Sequence, residues 1–137
     1  MAHWRFLDYH TEDDTNPFNQ WYVLQGEEVQ AAFDATLPIL GEIETWDDPN
    51  YPVSAFKALT RNPRHVGLSE LIFEVTINNR KRQYRAIGIW RKDQWDFILL
   101  TGFEKSGRST NPPNAFEVAI RLRNQFNQGR GTLHEHV

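Results

Sequence analysis

The sequence contains no cysteine, and this absence removes three kinds of chemistry at once. Without thiols the 137-residue chain has no disulfide scaffold, no thiolate zinc site and no cysteine nucleophile. Long apolar runs are also missing, since no stretch approaches the ~18 residues that a membrane span needs. The first residues lack the basic segment and apolar run of a signal peptide. We therefore expect a cytoplasmic protein with no membrane partner.

Basic residues are nearly absent from the first part of the chain. Residues 1–50 hold eleven Asp and Glu against one basic residue, Arg5, which gives a net charge of −10. Residues 51–137 hold seven acidic and fourteen basic residues, a net of +7, and the two parts sum to the overall −3. This split predicts a basic face for a polyanion. The alternative is that the two halves attract each other within one fold.

The chain contains enough apolar and aromatic residues to predict one packed domain over residues 1–137. Hydrophobic residues make up 39% of the chain, and five are tryptophan. Residues 4–9 predict an opening strand. An N-terminal helical part is predicted over about residues 16–60. Asn16-Pro17 predicts the start of a short helix that reaches Gln25. An apolar stripe from Val29 to Leu40 predicts a second helix, which Pro38 should kink or end. Residues 53–59 are predicted as one more helical turn.

The period of the apolar residues changes in the second half. Residues 70–77 alternate as in a strand, Asn78-Asn79 marks a turn, and strands over 82–90 and 95–103 follow. These strands predict an antiparallel three-stranded meander within a sheet of about residues 69–104. Asn114 and Gly129 bound a closing helix of about residues 114–128. Residues 130–137 are expected to form a loose tail.

Several short motifs in this half resemble one known family. They are Asn62-Pro63-Arg64, Gly67-Leu68-Ser69-Glu70-Leu71, Tyr84-Arg85, Leu99-Leu100-Thr101-Gly102-Phe103-Glu104-Lys105-Ser106, and a Pro, Glu117, Ala119, Arg121 helix pattern. In this order they resemble the HigB-like, phage-derived toxins of the RelE/ParE superfamily over about residues 58–127. The resemblance implies an α+β fold of RelE/ParE type: a small antiparallel sheet, the N-terminal strand plus the meander, with helices packed on one face.

The resemblance also implies a function. Members of this kind are toxins of toxin–antitoxin pairs, and the RelE-like and HigB-like ones cut mRNA, mostly on the ribosome. The implied reaction is metal-free: a ribose 2′-hydroxyl attacks the adjacent phosphate, with no cofactor. The implied partners are a cognate antitoxin protein, mRNA and the ribosome.

Such a reaction needs fixed cations and a group that moves a proton. We predict Arg85 and Lys105 as the phosphate-stabilising cations and His65 as the proton carrier. For Arg85 the alternative is a structural ion pair with Glu74, for Lys105 a solvated lysine at a turn, and for His65 a structural role. His134 and His136, near the C-terminus, are a weaker choice for proton transfer and too few for a firm metal site. The predicted RNA-binding residues are Arg61, Arg64, Arg80, Lys81, Arg82 and Arg108, although the run from Arg80 to Arg82 also suits a solvated turn.

Two features favour binding without cutting. Ile72 stands where the family pattern often has arginine, and the isoelectric point of 5.9 is low for a ribosome-binding toxin. A non-catalytic protein-interaction module and a ParE-like gyrase inhibitor therefore stay open as alternatives. The feature that separates the nuclease from these alternatives is whether Arg85, Lys105 and the Arg80 to Arg82 run converge on one concave surface.

Overall fold

The computed structural model describes residues 3–137, which form one sheet with three helices. In chain order the elements are β1 (Arg5–His10), α1 (Pro17–Tyr22), α2 (Glu27–Glu42), β2 (Phe56–Ala58), β3 (Ser69–Ile77), β4 (Arg80–Arg91), β5 (Asp96–Ser106), β6 (Ser109–Asn111), α3 (Ala115–Asn127) and β7 (Thr132–Glu135). Short 3₁₀ turns cover Pro63–His65 and Lys92–Gln94. No helix within residues 3–137 combines the length and the apolarity of a membrane span.

The sheet is larger than predicted, and it is mixed rather than antiparallel. Its strand order is β2-β3-β4-β5-β1-β7, with β6 paired to β5. The pair β1 and β5 is parallel, whereas every other pair among residues 3–137 is antiparallel. The prediction of a small antiparallel RelE/ParE-like sheet is therefore wrong. It failed because the partner of β1 lies some ninety residues away along the chain, where no local pattern identifies it.

The antiparallel meander of β3, β4 and β5 is present and forms the centre of this sheet. Asn78 and Asn79 connect β3 to β4 with φ values of 52° and 64°. Two consecutive positive φ angles are typical of a type I′ turn, the connection that matches the twist of paired strands. This two-residue turn sets the register, which pairs Ile77 with Arg80 and Ile72 with Arg85.

Helices cover both faces of the sheet, not one as predicted. Along β4, Tyr84 and Ala86 belong to the core beneath α1 and α2, whereas Ile87 belongs to a second core beneath α3. Successive side chains of a strand point to opposite faces, so the two cores lie on opposite sides of the sheet. We call these the α2 face and the α3 face. The strand β5 is apolar on both faces for this reason, with Leu99 in the first core and Ile98 and Leu100 in the second.

Three local predictions also need correction. Residues 53–59 contain the strand β2 rather than a helical turn, because Phe56–Ala58 adds to the edge of β3. Of the two outcomes predicted at Pro38, an end to the helix is wrong, because α2 continues through Pro38 to Glu42. Residues 130–137 are not a loose tail, since β7 pairs with β1 and Leu133 packs into the core beneath α3. In each case pairing or packing with a distant strand outweighs the local propensity.

Candidate nucleic-acid interface

A basic depression lies where the β3–β4 hairpin meets the end of β5. It has a volume of about 550 Å³. Its lining comprises the hairpin residues Arg80, Lys81, Arg82 and Gln83 and the β5 segment Glu104, Lys105, Ser106 and Gly107. We call it the hairpin cavity. Lys105 and the Arg80 to Arg82 run therefore converge on one concave surface, but Arg85, which the nuclease hypothesis also requires there, does not line it.

A second depression adjoins the first, because Lys105 and Gly107 line both. Its volume is about 320 Å³. Lys57 and Arg108 supply further positive charge, and Glu70 supplies a carboxylate. Phe103 and Phe116 form an aromatic wall, with their ring centroids 5.3 Å apart. We call this the Glu70 cavity, and the two cavities together the basic groove.

Most cations of the basic groove have no carboxylate partner. Arg82 lies 3.5 Å from Glu104, measured from Nε to Oε2. Lys57, Arg80, Lys81, Lys105 and Arg108 form no ion pair with any residue in the range 3–137. The groove carries six cations against Glu70 and Glu104. Unpaired cations on a concave surface raise the local concentration of anions, so the groove suits a polyanion.

Beneath the Glu70 cavity lies a buried charged pair. The side chains of Glu70 and Arg85 are 6% and 8% exposed, and Arg85 Nε lies 3.7 Å from Glu70 Oε1. That distance is too long for a hydrogen bond. Arg85 Nη2 donates to Gln83 Oε1 at 3.0 Å, whereas Nε and Nη1 are buried without a hydrogen-bond partner. Arg85 therefore supports Glu70 electrostatically from inside the sheet and does not line either cavity.

The register of the hairpin explains why the partner is Glu70 and not Glu74. Arg85 lies opposite Ile72, so Glu70 and Glu74 are its two diagonal neighbours on the α3 face. Glu70 lies in the buried part of β3, whereas Glu74 is exposed near the hairpin. The alternative of an ion pair between Arg85 and Glu74 is therefore wrong. Arg85 does form an ion pair with a carboxylate of β3, but that carboxylate belongs to Glu70.

Burial raises the pKa of Glu70 above its ordinary value, and this effect outweighs the opposing influence of three cations. Arg85, Lys57 and Lys105, in that order, favour the charged form and lower the pKa. Desolvation disfavours a carboxylate, so the proton is held to a higher pH. A carboxyl group whose pKa is moved toward neutrality makes an effective general base. This makes Glu70 the side chain in the groove best suited to proton transfer.

His65, the predicted proton carrier, does not line the groove. Its ring stacks flat on Phe116 at 4.6 Å, outside the set of residues that line the Glu70 cavity. Burial first, and then the charges of Arg64 and Arg123, lower the pKa of His65. His65 therefore packs behind the aromatic wall and supports it. The catalytic role of His65 stays a prediction.

Two of the predicted RNA-binding residues lie outside the groove as well. Arg64 is bound to Glu117 of α3, with Nη2 and Oε2 at 2.7 Å. Arg61 is exposed but lines neither cavity. Four of the six predicted RNA-binding residues, Arg80, Lys81, Arg82 and Arg108, do line it.

The histidines near the C-terminus belong to another part of the molecule. Asp8 of β1 pairs with His134 of β7 on one side and with Leu99 of β5 on the other. Lys105 is six residues further along β5 and its side chain is on the α3 face, beside that of Phe103. His136 packs against Phe18 and Phe33 on the α2 face. Neither histidine reaches the groove.

Sequence reasoning missed Lys57, Glu70 and Phe116 as groove residues. The sequence did contain a signal for Glu70. A two-residue turn at Asn78-Asn79 fixes the register of β3 and β4, and this register places Glu70 diagonally from Arg85 on the same face of the sheet. Lys57 and Phe116 carried no such signal, since β2 and α3 reach the cavity only through tertiary packing.

Comparisons of the chain with protein families, with curated proteins and with solved structures found no match. The resemblance to HigB-like toxins therefore stays a prediction, and the groove has to be interpreted from its own residues.

Proposed function

We propose that the basic groove binds single-stranded RNA and that the protein cleaves it as a metal-free endoribonuclease, acting as the toxin of a toxin–antitoxin pair. The observation that supports this most is the position of Glu70 in a cavity lined by Lys57, Lys105 and Arg108. A raised-pKa carboxyl among unpaired cations provides both a base and phosphate-stabilising charge.

In the proposed reaction, the 2′-oxygen of a ribose forms a bond to the adjacent phosphorus while Glu70 takes the hydroxyl proton. The bond between phosphorus and the 5′-oxygen breaks, and that oxygen takes a proton from water. Lys105, with Arg108 and Lys57, stabilises the negative charge that grows on the phosphate oxygens. The products are a 2′,3′-cyclic phosphate and a 5′-hydroxyl end.

The hairpin cavity extends the groove for the neighbouring nucleotides. Arg80 and Lys81 contact backbone phosphates, and such contacts position a strand without reading its sequence. Phe116, the partly exposed ring of the aromatic wall, offers a surface for one base, and stacking of a base on an aromatic ring contributes about 1–3 kcal/mol. A cognate antitoxin that covers this groove would block the reaction.

The burial of Arg85 favours a second candidate function, a non-catalytic module that binds RNA or a protein in the same groove. With Arg85 inside the sheet, the groove lacks one of the two cations that were expected to contact the reacting phosphate. The two candidates differ in one measurable property, which is cleavage.

The test is incubation of purified protein with a fluorescent single-stranded RNA in the presence of a chelator of divalent cations. We expect cleavage products with 2′,3′-cyclic phosphate ends, and no cleavage of the matching 2′-deoxy strand. A general base contributes about 10²–10⁴-fold to a rate, so Glu70→Gln should lower cleavage at least about 100-fold.

The matched control is Glu74→Gln, which removes an exposed carboxylate from the same strand and should cleave like the wild type. Cleavage that survives in Glu70→Gln would exclude the proposed base. Binding of RNA by the wild type without any cleavage would favour the non-catalytic module.

A further inference from the structure

A cluster of possible metal ligands lies away from the groove, where β7 pairs with β1. His10, Asp14 and His134 each offer one ligand atom, and these atoms all lie within 4.8 Å of one another. The imidazole rings of His10 and His134 are 3.9 Å apart between centroids, and His10 Nδ1 lies 3.0 Å from Asp14 Oδ1. Residues that are far apart in the sequence thus meet at one point.

Strand pairing brings the two histidines together. His10 of β1 is opposite Thr132 of β7, and His134 is opposite Asp8. His10 and His134 are therefore diagonal neighbours, two residues apart along the ladder, and both side chains point to the α2 face. Diagonal neighbours on one face are close enough for long side chains to touch.

A tight turn holds the third ligand in place. Asp14 has a φ of 59°, in the left-handed region that costs a residue other than glycine some energy. The turn is closed by two backbone hydrogen bonds, from Asp14 to Thr11 at 2.8 Å and from Thr11 to Thr15 at 2.9 Å. The Thr11 and Thr15 hydroxyl oxygens add a contact at 2.6 Å. Asp14 is thus held beside His10 rather than left free in a loop.

The chemistry of this set selects a class of metal. Imidazole nitrogen with one carboxylate oxygen suits zinc and its neighbours among the divalent transition metals, whereas calcium and magnesium prefer oxygen ligands. Tetrahedral ligands about 2.0–2.1 Å from zinc are roughly 3.3 Å from each other. Asp14 and His134 are exposed, so their side chains have room to rotate toward that spacing.

We propose that His10, Asp14 and His134 form a binding site for a divalent transition metal ion of the zinc class, with water in the fourth position. The ion joins β1, the turn after it and β7, and so fixes the last strand of the chain to the sheet. This site is independent of the proposed RNA cleavage.

The test is titration of the purified protein with Zn²⁺ by calorimetry, together with thermal unfolding with and without Zn²⁺. The wild type should bind one ion per chain and unfold at a higher temperature when it is bound. The variants His10→Ala and His134→Ala should each lose at least about tenfold in affinity for Zn²⁺. Loss of a residue that only hydrogen-bonds to a metal ligand already weakens binding by about that factor, and loss of the ligand itself should cost no less. Asp14→Asn should weaken binding in the same direction.

His3→Ala is the matched control, because it removes an exposed histidine whose ring lies 5.9 Å from that of Trp95 and which belongs to no ligand cluster among residues 3–137. It should bind Zn²⁺ like the wild type. The proposal fails if the wild type takes up no zinc, if binding is unchanged in His10→Ala and His134→Ala, or if His3→Ala loses it equally. Lys105→Ala should leave zinc binding unchanged, so this result is separate from that for the groove.

Discussion

Glu70 and Arg85 form a buried pair in which neither charge is fully compensated. The guanidinium is nearly buried with two donors unsatisfied, and the carboxyl lies 3.7 Å from Arg85 Nε. Removing charge from water costs free energy unless hydrogen bonds replace the lost hydration. This cost is what raises the pKa of Glu70, so the residue that we propose as the base obtains its reactivity from its burial.

The variant Glu70→Gln should change how stability depends on pH. A carboxyl whose pKa is higher in the folded state than in the unfolded state adds stability below its ordinary pKa, and this stability is lost as the pH rises through the raised value. The wild type should therefore lose stability relative to Glu70→Gln between about pH 4 and about pH 8. Urea unfolding at both pH values measures the difference, with Glu74→Gln as the control for loss of one charge. A difference that is equal at both pH values would contradict the raised pKa.

The variant Arg85→Met should raise the pKa of Glu70 further. Arg85 is the largest of the influences that lower this pKa, and methionine keeps the apolar packing without the charge. Titration of the Glu70 side-chain carboxyl by ¹³C NMR measures the shift directly. Arg82→Met is the control, because Arg82 pairs with Glu104 rather than Glu70. An unchanged or lowered pKa in Arg85→Met would show that the two groups do not interact.

At the scale of elements, β7 is held by a close approach of backbone to β1. Gly131 has a φ of 81°, and a Cβ atom there would meet the carbonyl oxygen of His10 and the hydroxyl of Tyr9. That hydroxyl donates to the carbonyl of Arg130 at 2.7 Å. Only glycine satisfies both the conformation and the space, so this position determines whether the last strand can add to the sheet.

Gly131→Ala should therefore destabilise the protein more than Gly129→Ala. Gly129 also has a positive φ, 73°, but a Cβ atom there would meet nothing within 4 Å. We expect a loss of roughly 1–2 kcal/mol for Gly129→Ala, from conformation alone. For Gly131→Ala we expect about 1–3 kcal/mol more, because the crowded strand has to shift. Urea unfolding of both variants tests this, and equal losses would mean that the contact with β1 is unimportant.

The elements that the sequence predicted well are those with local signals. Asn16 accepts a hydrogen bond from the Asn19 amide and begins α1, and Asn78-Asn79 sets the hairpin. The elements it predicted wrongly depend on distant partners. Residues 132–135 have no apolar alternation that would mark a strand, and they form one only because the edge of β1 is free to pair with them. For the same reason the sequence located Lys105 and the hairpin cations in the site but not Lys57 or Phe116.

At the scale of the whole molecule, the charge asymmetry along the chain is only partly neutralised inside the fold. Asp47 pairs with Lys92 at 3.0 Å and Glu12 with Arg130 at 2.6 Å, so some acidic residues of the first part do contact basic residues of the second. No carboxylate from residues 3–50 lines the basic groove. The two parts of the chain therefore do attract each other, and a basic surface still remains; that this surface meets a polyanion stays a prediction.

The most direct test of the central claim, that the basic groove is the nucleic-acid surface, is the affinity for a labelled single-stranded RNA measured by anisotropy over a range of salt concentrations. The double variant Lys105→Ala with Arg108→Ala should bind more weakly, and its logarithmic salt slope should fall by about 0.7 for each lost phosphate contact. Lys92→Ala, which removes a cation already paired with Asp47, should retain the wild-type affinity and slope. Equal losses in both variants, or no loss in the double variant, would contradict the account.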